Sequence, residues 1–147
     1  MKLSLVWIFT WLVQLACGAQ FEWSGAISTT GTKPTGRYYH TSVVYGDYMF
    51  MFGGYGPVSG TDTYLNDLHK VNLNTNEWSG TVSTTGTAPT ARQAPSSVIR
   101  GSDMFVFGGY DGSDNFNDVY KLNLNTDAWS GALSPTGTKP TARAAHT

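Results

Sequence analysis

Apart from Cys17 the chain has no cysteine, and only 13% of its 147 residues are charged. A lone thiol cannot form an intramolecular disulfide or assemble a thiolate metal site. The formal net charge of -1 supplies neither a basic field for a phosphate backbone nor an acidic tail, so nucleic acid is not an expected partner. Beyond the first twenty residues no apolar run approaches the roughly 20 residues that a bilayer span needs, and no membrane span is expected there. What the chain does have is 17 glycines and 14% aromatic residues. That balance suits short strands and tight turns, and it places the chain in the all-β class.

The opening "MKLSLVWIFTWLVQLACGAQ" stands apart. Lys2 gives a positive start, Leu3 to Leu15 is an almost unbroken apolar run, and small residues follow where a signal peptidase reads. The run is too short for a membrane anchor, so residues 1–19 read as a cleaved signal peptide with the cut after Ala19. Acylation of Cys17 as a lipoprotein would want an aliphatic residue where Gln14 stands. Export follows, to a secreted or other extracytoplasmic location. Removal of the leader also removes the only thiol, and with it cysteine nucleophiles and thiolate ligands.

The remainder repeats itself. "WSGAISTTGTKPTGR" from Trp23 returns as "WSGTVSTTGTAPTAR" from Trp78 and "WSGALSPTGTKPTAR" from Trp129. Trp23 to Trp78 spans 55 residues, as do Arg37 to Arg92 and Gly53 to Gly108, while Trp78 to Trp129 and Arg92 to Arg143 span 51. A fixed period of this size marks a stacked or circular array. The difference falls between "YGPVSGTDTYL" in the first copy and "YDGSDNF" in the second, a loop position where insertion is tolerated.

Each unit contains four predicted strands. "HTSVVYG" comes first; "YMFMFGG", apolar on both faces, is a strand sandwiched between layers. "DLHKVNL" alternates, with His69, Val71 and Leu73 on one side, and reads as half-buried. "NTNEWSG" turns into the fourth strand through Trp78. The second copy answers with "APSSVIRG", "DMFVFGG", "DVYKLNL" and "NTDAWSG". Four short antiparallel strands in about fifty residues make one blade of a β-propeller.

The Pro-x-x-Arg before the first strand, the glycine pair closing the second, the Asn-Asp before the third and the tryptophan beyond it resemble the kelch repeat. The chain departs from the common pattern in having Leu73 and Leu124 where many kelch repeats carry tyrosine, and Pro95 where His40 and His146 stand. The resemblance implies kelch-type blades at 37–80 and 92–131, preceded by an outer strand and connector at 21–36 and followed by the start of a further blade at 143–147. Propellers close with typically four to eight blades, so about two blades imply the front part of a longer product or the association of several copies.

The recurring residues have structural readings. Gly53, Gly54, Gly108 and Gly109 permit unusual backbone angles and close approach. Trp23, Trp78 and Trp129 are expected between adjacent blades, and Arg37, Arg92 and Arg143 are expected to tie blades together through carbonyl or carboxylate contacts. The Ser/Thr/Gly/Pro segment after each tryptophan reads as an exposed connector without regular pairing.

Short turns fall on one face of the blades and long loops on the other, which makes the long-loop face the expected binding surface. Its variable residues are Tyr55, Pro57, Asp62, Tyr64, Tyr110, Asp111, Asp114 and Phe116. No catalytic or metal constellation emerges. "DGSDNFND" lacks the ordered ligands and closing Glu of a calcium loop and reads as Asx turns. His40, His69 and His146 have no second histidine or carboxylate at metal-binding spacing. No cofactor is expected. The first functional reading is an exported module that binds a protein, or a glycan, through this face. The second, implied by the resemblance, is an exported kelch-fold enzyme acting on a sugar, of sialic-acid mutarotase-like type. Galactose oxidase-like copper chemistry is disfavoured because its redox cofactor needs a cysteine.

Overall fold

The structure, a computed structural model, describes residues 25–147; the leader and Trp23 lie outside the described residues. It contains ten strands and, among the described residues, no helix. In chain order these are β1 (Thr30–Thr32), β2 (Thr41–Tyr45), β3 (Tyr48–Val58), β4 (Thr61–Asn72), β5 (Glu77–Thr81), β6 (Thr85–Thr87), β7 (Ser96–Arg100), β8 (Asp103–Phe107), β9 (Val119–Asn123) and β10 (Ala128–Ala132). They form two sheets of equivalent order, β1-β5-β4-β3-β2 and β6-β10-β9-β8-β7. The four antiparallel strands of each blade are those read from the sequence.

Each sheet also has a fifth strand, and this corrects the reading of the connector. The Thr-Gly-Thr triplets of β1 and β6 pair in parallel with the outermost strands β5 and β10, Gly31 opposite Trp78 and Gly86 opposite Trp129. A Cβ on Gly31 or Gly86 would lie 2.1 Å from the carbonyl oxygen of the facing tryptophan, and both glycines have positive φ. The small residues of the connector therefore permit pairing at an otherwise exposed edge, which they also cover.

The loop between the second and third strands of the first blade is likewise ordered. β3 and β4 continue past the glycine pair as a hairpin, with Tyr55 facing Tyr64, Pro57 facing Asp62 and Val58 facing Thr61. Ser59 and Gly60 both take positive φ, as a two-residue hairpin turn of the primed kind requires. The extra residues of this copy lengthen a ladder, where the sequence pattern predicted an irregular loop.

The core lies between the blades. Phe50, Phe52 and Leu68 of the first pack on Met104, Val106, Leu122, Leu124 and Trp129 of the second, with the Phe52 and Trp129 rings 5.1 Å apart. Side chains alternate along a strand, so Met49 and Met51 turn to the opposite face of the first blade, beside Trp78. Trp129 is 5% exposed, whereas Trp78, its counterpart on that outer face, is only half-buried. The same asymmetry separates Leu124 (7% exposed) from Leu73 (46%). Leu73 thus leaves the buried side on which alternation placed it, while Leu68, on the other side of β4, is buried with His69 and Val71. A strand sandwiched between layers buries both faces.

At the hub, successive blades join by main chain. Tyr39, Ala94 and Ala145 occupy the same position in consecutive repeats, and all three have positive φ. The Ala94 N–H donates to the Tyr39 carbonyl (2.7 Å), and the Ala145 N–H to that of Ala94 (3.0 Å).

Candidate functional site

The arginine that opens each blade acts through both its main chain and its side chain. The Arg92 N–H donates to the Leu65 carbonyl, and the Arg92 carbonyl accepts from Gly54 N–H, both at 2.9 Å; these bonds reach back into the first blade. Its guanidinium stays within the second blade. It donates to Asp118 through two nitrogens (2.6 and 3.0 Å), to the Gly108 carbonyl (2.9 Å) and to Thr90, and it stacks 4.1 Å from the Phe116 ring centroid. The side chain is fully buried. Arg37 repeats the arrangement with Asp67, Gly53 and Thr35. Among the described residues the Arg143 side chain reaches only Thr141, while its main chain bonds Gly109 and Phe116 of the preceding blade. The expectation of an inter-blade tie therefore needs division: the backbone crosses between blades, and the side chain locks its own.

The glycine pairs make this junction passable. Gly53 has φ +67 and Gly108 φ +65; added Cβ atoms would meet the Arg92 and Arg143 carbonyl oxygens at 2.9 and 2.6 Å.

His69 departs from the sequence reading. Its Nε2 lies 2.8 Å from Oδ2 of Asp67, a carboxylate two residues away that spacing arguments passed over. Burial pushes the Asp67 carboxyl up, but hydrogen bonds from Arg37 and then His69 outweigh it and hold the group below its ordinary value. Where the second blade stacks Tyr120 and Phe116 around its arginine, the first has His69 and Leu65. Among the described residues no cluster of three or more metal-ligating side chains forms.

On the long-loop face the structure assembles a row of tyrosines. Tyr38 pairs with Tyr55 through two main-chain hydrogen bonds (3.0 and 2.9 Å), and Tyr55 faces Tyr64 across the hairpin. Their ring centroids are 5.5 and 4.8 Å apart; Tyr39 stands 5.2 Å from Tyr38, and Tyr110 of the second blade 6.1 Å from Tyr64. The row thus runs Tyr39, Tyr38, Tyr55, Tyr64, Tyr110 across both blades. Gly112 lets it cross, since a Cβ there would sit 2.8 Å from the Tyr64 ring. Tyr38 and Tyr39 are 50% and 59% exposed.

Carboxylates flank this row. Partial desolvation, then the charge of Asp62, holds the Tyr38 phenol above its ordinary value. Desolvation does the same for Tyr64, followed by Tyr110, Tyr55 and Asp111. Asp111 is held low because its carboxylate accepts from the Asp114 and Ser113 N–H groups, both at 2.9 Å, in the Asx turn read from the sequence.

Of the eight expected surface residues, Tyr55, Tyr64 and Tyr110 join in the row and Asp62 and Asp111 border it. Asp114 is exposed and closes the turn. Phe116 and Pro57 belong elsewhere: Phe116 covers Arg92, and Pro57 lines a cleft against the connector residues Thr32 to Thr35. Tyr38 and Tyr39 were missed, although "RYYH" directly after a repeat arginine was the available signal. Beside the row, a cleft of about 400 Å³ is lined by Tyr39, Gln93, Ala94, Tyr110, Asn115 and Ala145.

Two adjacent antiparallel blades with parallel edge strands, joined at a hub, define the β-propeller class. A model of the KLHDC2/KLHL20/DRC7 Kelch-repeats domain matches residues 6–147, and the chain belongs to the kelch-repeat family. It is 33% identical over 119 residues to the Leucine-zipper-like transcriptional regulator 1 homolog of Drosophila melanogaster, covering 79% of this chain and 12% of that protein. To Kelch domain-containing protein 1 of Mus musculus it is 30% identical, covering 86% of this chain and 36% of the other. The chain therefore spans about a third or less of the length of these relatives. The solved structure of YjhT shares the fold with a TM-score of 0.58 at 21% identity, over 67% of this chain and 39% of that one. Among the described residues no helix is long and apolar enough to cross a membrane.

Proposed function

We propose that the chain is an exported kelch-repeat module that binds a protein partner through the tyrosine row of its long-loop face. The observation that carries this reading is the continuous aromatic surface running from Tyr39 to Tyr110 across two blades. Tyrosine supplies wide amphipathic contact area at low cost in side-chain entropy, and here the rings are held by hairpin pairing and a main-chain bridge. Kelch domains commonly mediate protein interactions, in agreement with this reading. A glycan ligand is the second reading, favoured by the Gln93 and Asn115 side chains beside the Tyr39 and Tyr110 rings in the adjoining cleft.

Cross-linking from a photoreactive residue at position 64 would recover the partner, whose affinity is then measured for variants of the chain. Tyr64→Ala and Tyr55→Ala are expected to weaken binding at least about tenfold. Tyr48→Ala, at the other end of β3, is expected to leave it unchanged; equal affinity across all three would overturn the reading. Export is checked separately, by a mature N-terminus at Gln20 in the exported product.

A further inference from the structure

We infer that the partner seated on the tyrosine row presents a basic segment, its Arg or Lys side chains lying over the ring faces between Asp62 and Asp111. This rests on the reading of the row as the docking face and adds the chemistry of what docks. The electron-rich face of an aromatic ring attracts a cation, and the attraction strengthens as the pair loses water. This chain uses that contact internally: Lys70 lies over the Tyr48 and Phe50 rings, and Arg92 over Phe116 and Tyr120. Among the described residues, none of the five tyrosines of the row carries such a cation.

The charges beside the row point the same way. Asp62 lies two residues before Tyr64 on β4, on the same side of the hairpin by alternation, and Asp111 lies between Tyr110 and Gly112, the glycine packed against the Tyr64 ring, so the carboxylates border the row at two points along its length. The guanidiniums that open the blades are committed to other carboxylates, Arg37 to Asp67 and Arg92 to Asp118; the charge of Arg92 reaches Asp111 as well, though less than the N–H groups of the turn do. An acidic partner would bring like charges together over partly desolvated phenols, whereas a basic one satisfies rings and carboxylates at once. Arginine fits best, because its planar group stacks on a ring while its edge donates to a carboxylate.

The test is fluorescence anisotropy with the full chain and three labelled peptides of one design: alternating arginine and glycine, citrulline in place of arginine, and glutamate in place of arginine. Citrulline keeps the shape of arginine and removes its charge. The arginine peptide is expected to bind at least about tenfold more tightly than the citrulline peptide, and to weaken as salt is raised. Asp62→Asn and Asp111→Asn should each loosen it several-fold; the asparagine at position 111 keeps the acceptor that the turn needs. Equal binding of the arginine and citrulline peptides, or none by the arginine peptide, would overturn the inference. If citrulline or glutamate peptides bind equally well and Tyr38→Ala abolishes that binding, the row docks peptides and only the charge assignment is wrong. If Tyr38→Ala and Tyr64→Ala leave arginine-peptide binding intact, the docking face is wrong as well. Tyr38 is half exposed, so its substitution keeps the test available should Tyr64→Ala fail to fold.

Discussion

At the scale of single residues, the repeat arginines show how one side chain locks the blade that it opens. Arg92 is fully buried, paired with Asp118 through two nitrogens and stacked on Phe116. Removing one partner of such a pair leaves a desolvated charge behind, so Arg92→Ala is expected to cost about 3–5 kcal/mol in urea unfolding. Arg143→Ala, whose exposed side chain touches only Thr141 among the described residues, should stay within about 0.5 kcal/mol when measured on this chain. Asp67 adds a pH dependence. Its carboxyl is held below the ordinary 3.8 in the folded chain, so the folded state binds its proton less readily than the unfolded state does. The stability it contributes is present above about pH 3.8 and is lost as pH falls through the lower folded value. Asp67→Asn should flatten that acid limb in a denaturation series run at decreasing pH. The arginines were legible because they recur at fixed spacing. Their acidic partners recur as well, in the Asn-Asp pairs 66–67 and 117–118, but no sequence rule connects them to a guanidinium thirty or twenty-six residues away.

At the scale of elements, the connector and the hairpin are where local reading and structure part. A Ser/Thr/Gly/Pro run has the composition of an unpaired crossing, yet its central Thr-Gly-Thr is held as an edge strand because β5 and β10 offer unpaired groups beside it. Gly86→Ala tests this. The new Cβ would collide with the Trp129 carbonyl, so the variant should lose protection from hydrogen exchange at the β6–β10 ladder and about 2–4 kcal/mol of stability. Gly101→Ala is the control: its φ is also positive, but a Cβ there meets nothing within 4 Å, and the cost should be about 1 kcal/mol. The long hairpin was missed for a related reason. Ser59-Gly60 is a competent turn, but the flanking "YGPV" and "TDTY" lack the apolar alternation that marks strands in isolation. Cross-strand pairing and the stacked tyrosines supply what the pattern lacks.

At the scale of the whole molecule, equivalent repeats have different surroundings among the described residues. The face of the first blade bearing Met49, Met51 and Trp78 corresponds in sequence to the face of the second blade bearing Met104, Val106 and Trp129, which packs on Phe50 and Phe52. Trp129→Ala should therefore cost about 3–5 kcal/mol, and Trp78→Ala about 1–2 kcal/mol, when both are measured on this chain by thermal unfolding. Equal costs would mean that Trp78 is covered. The tyrosine row also exists only at this scale. Tyr38, Tyr55, Tyr64 and Tyr110 are spread over more than seventy residues of chain, and they meet because consecutive strands and blades bring their rings side by side.

The sequence by itself determined the all-β class, the blade as the repeating unit and the positions of the glycines, tryptophans and arginines that sustain it. These are properties of local period and residue type, and repetition made them visible. Only the tertiary structure decided which tryptophan is buried between the two blades, where each guanidinium points, that the centre of the first two connectors pairs as a strand, and which tyrosines form a surface. The physical reason is the same in every case: each outcome depends on which neighbour desolvates, pairs with or stacks on a group, and that neighbour lies far away along the chain.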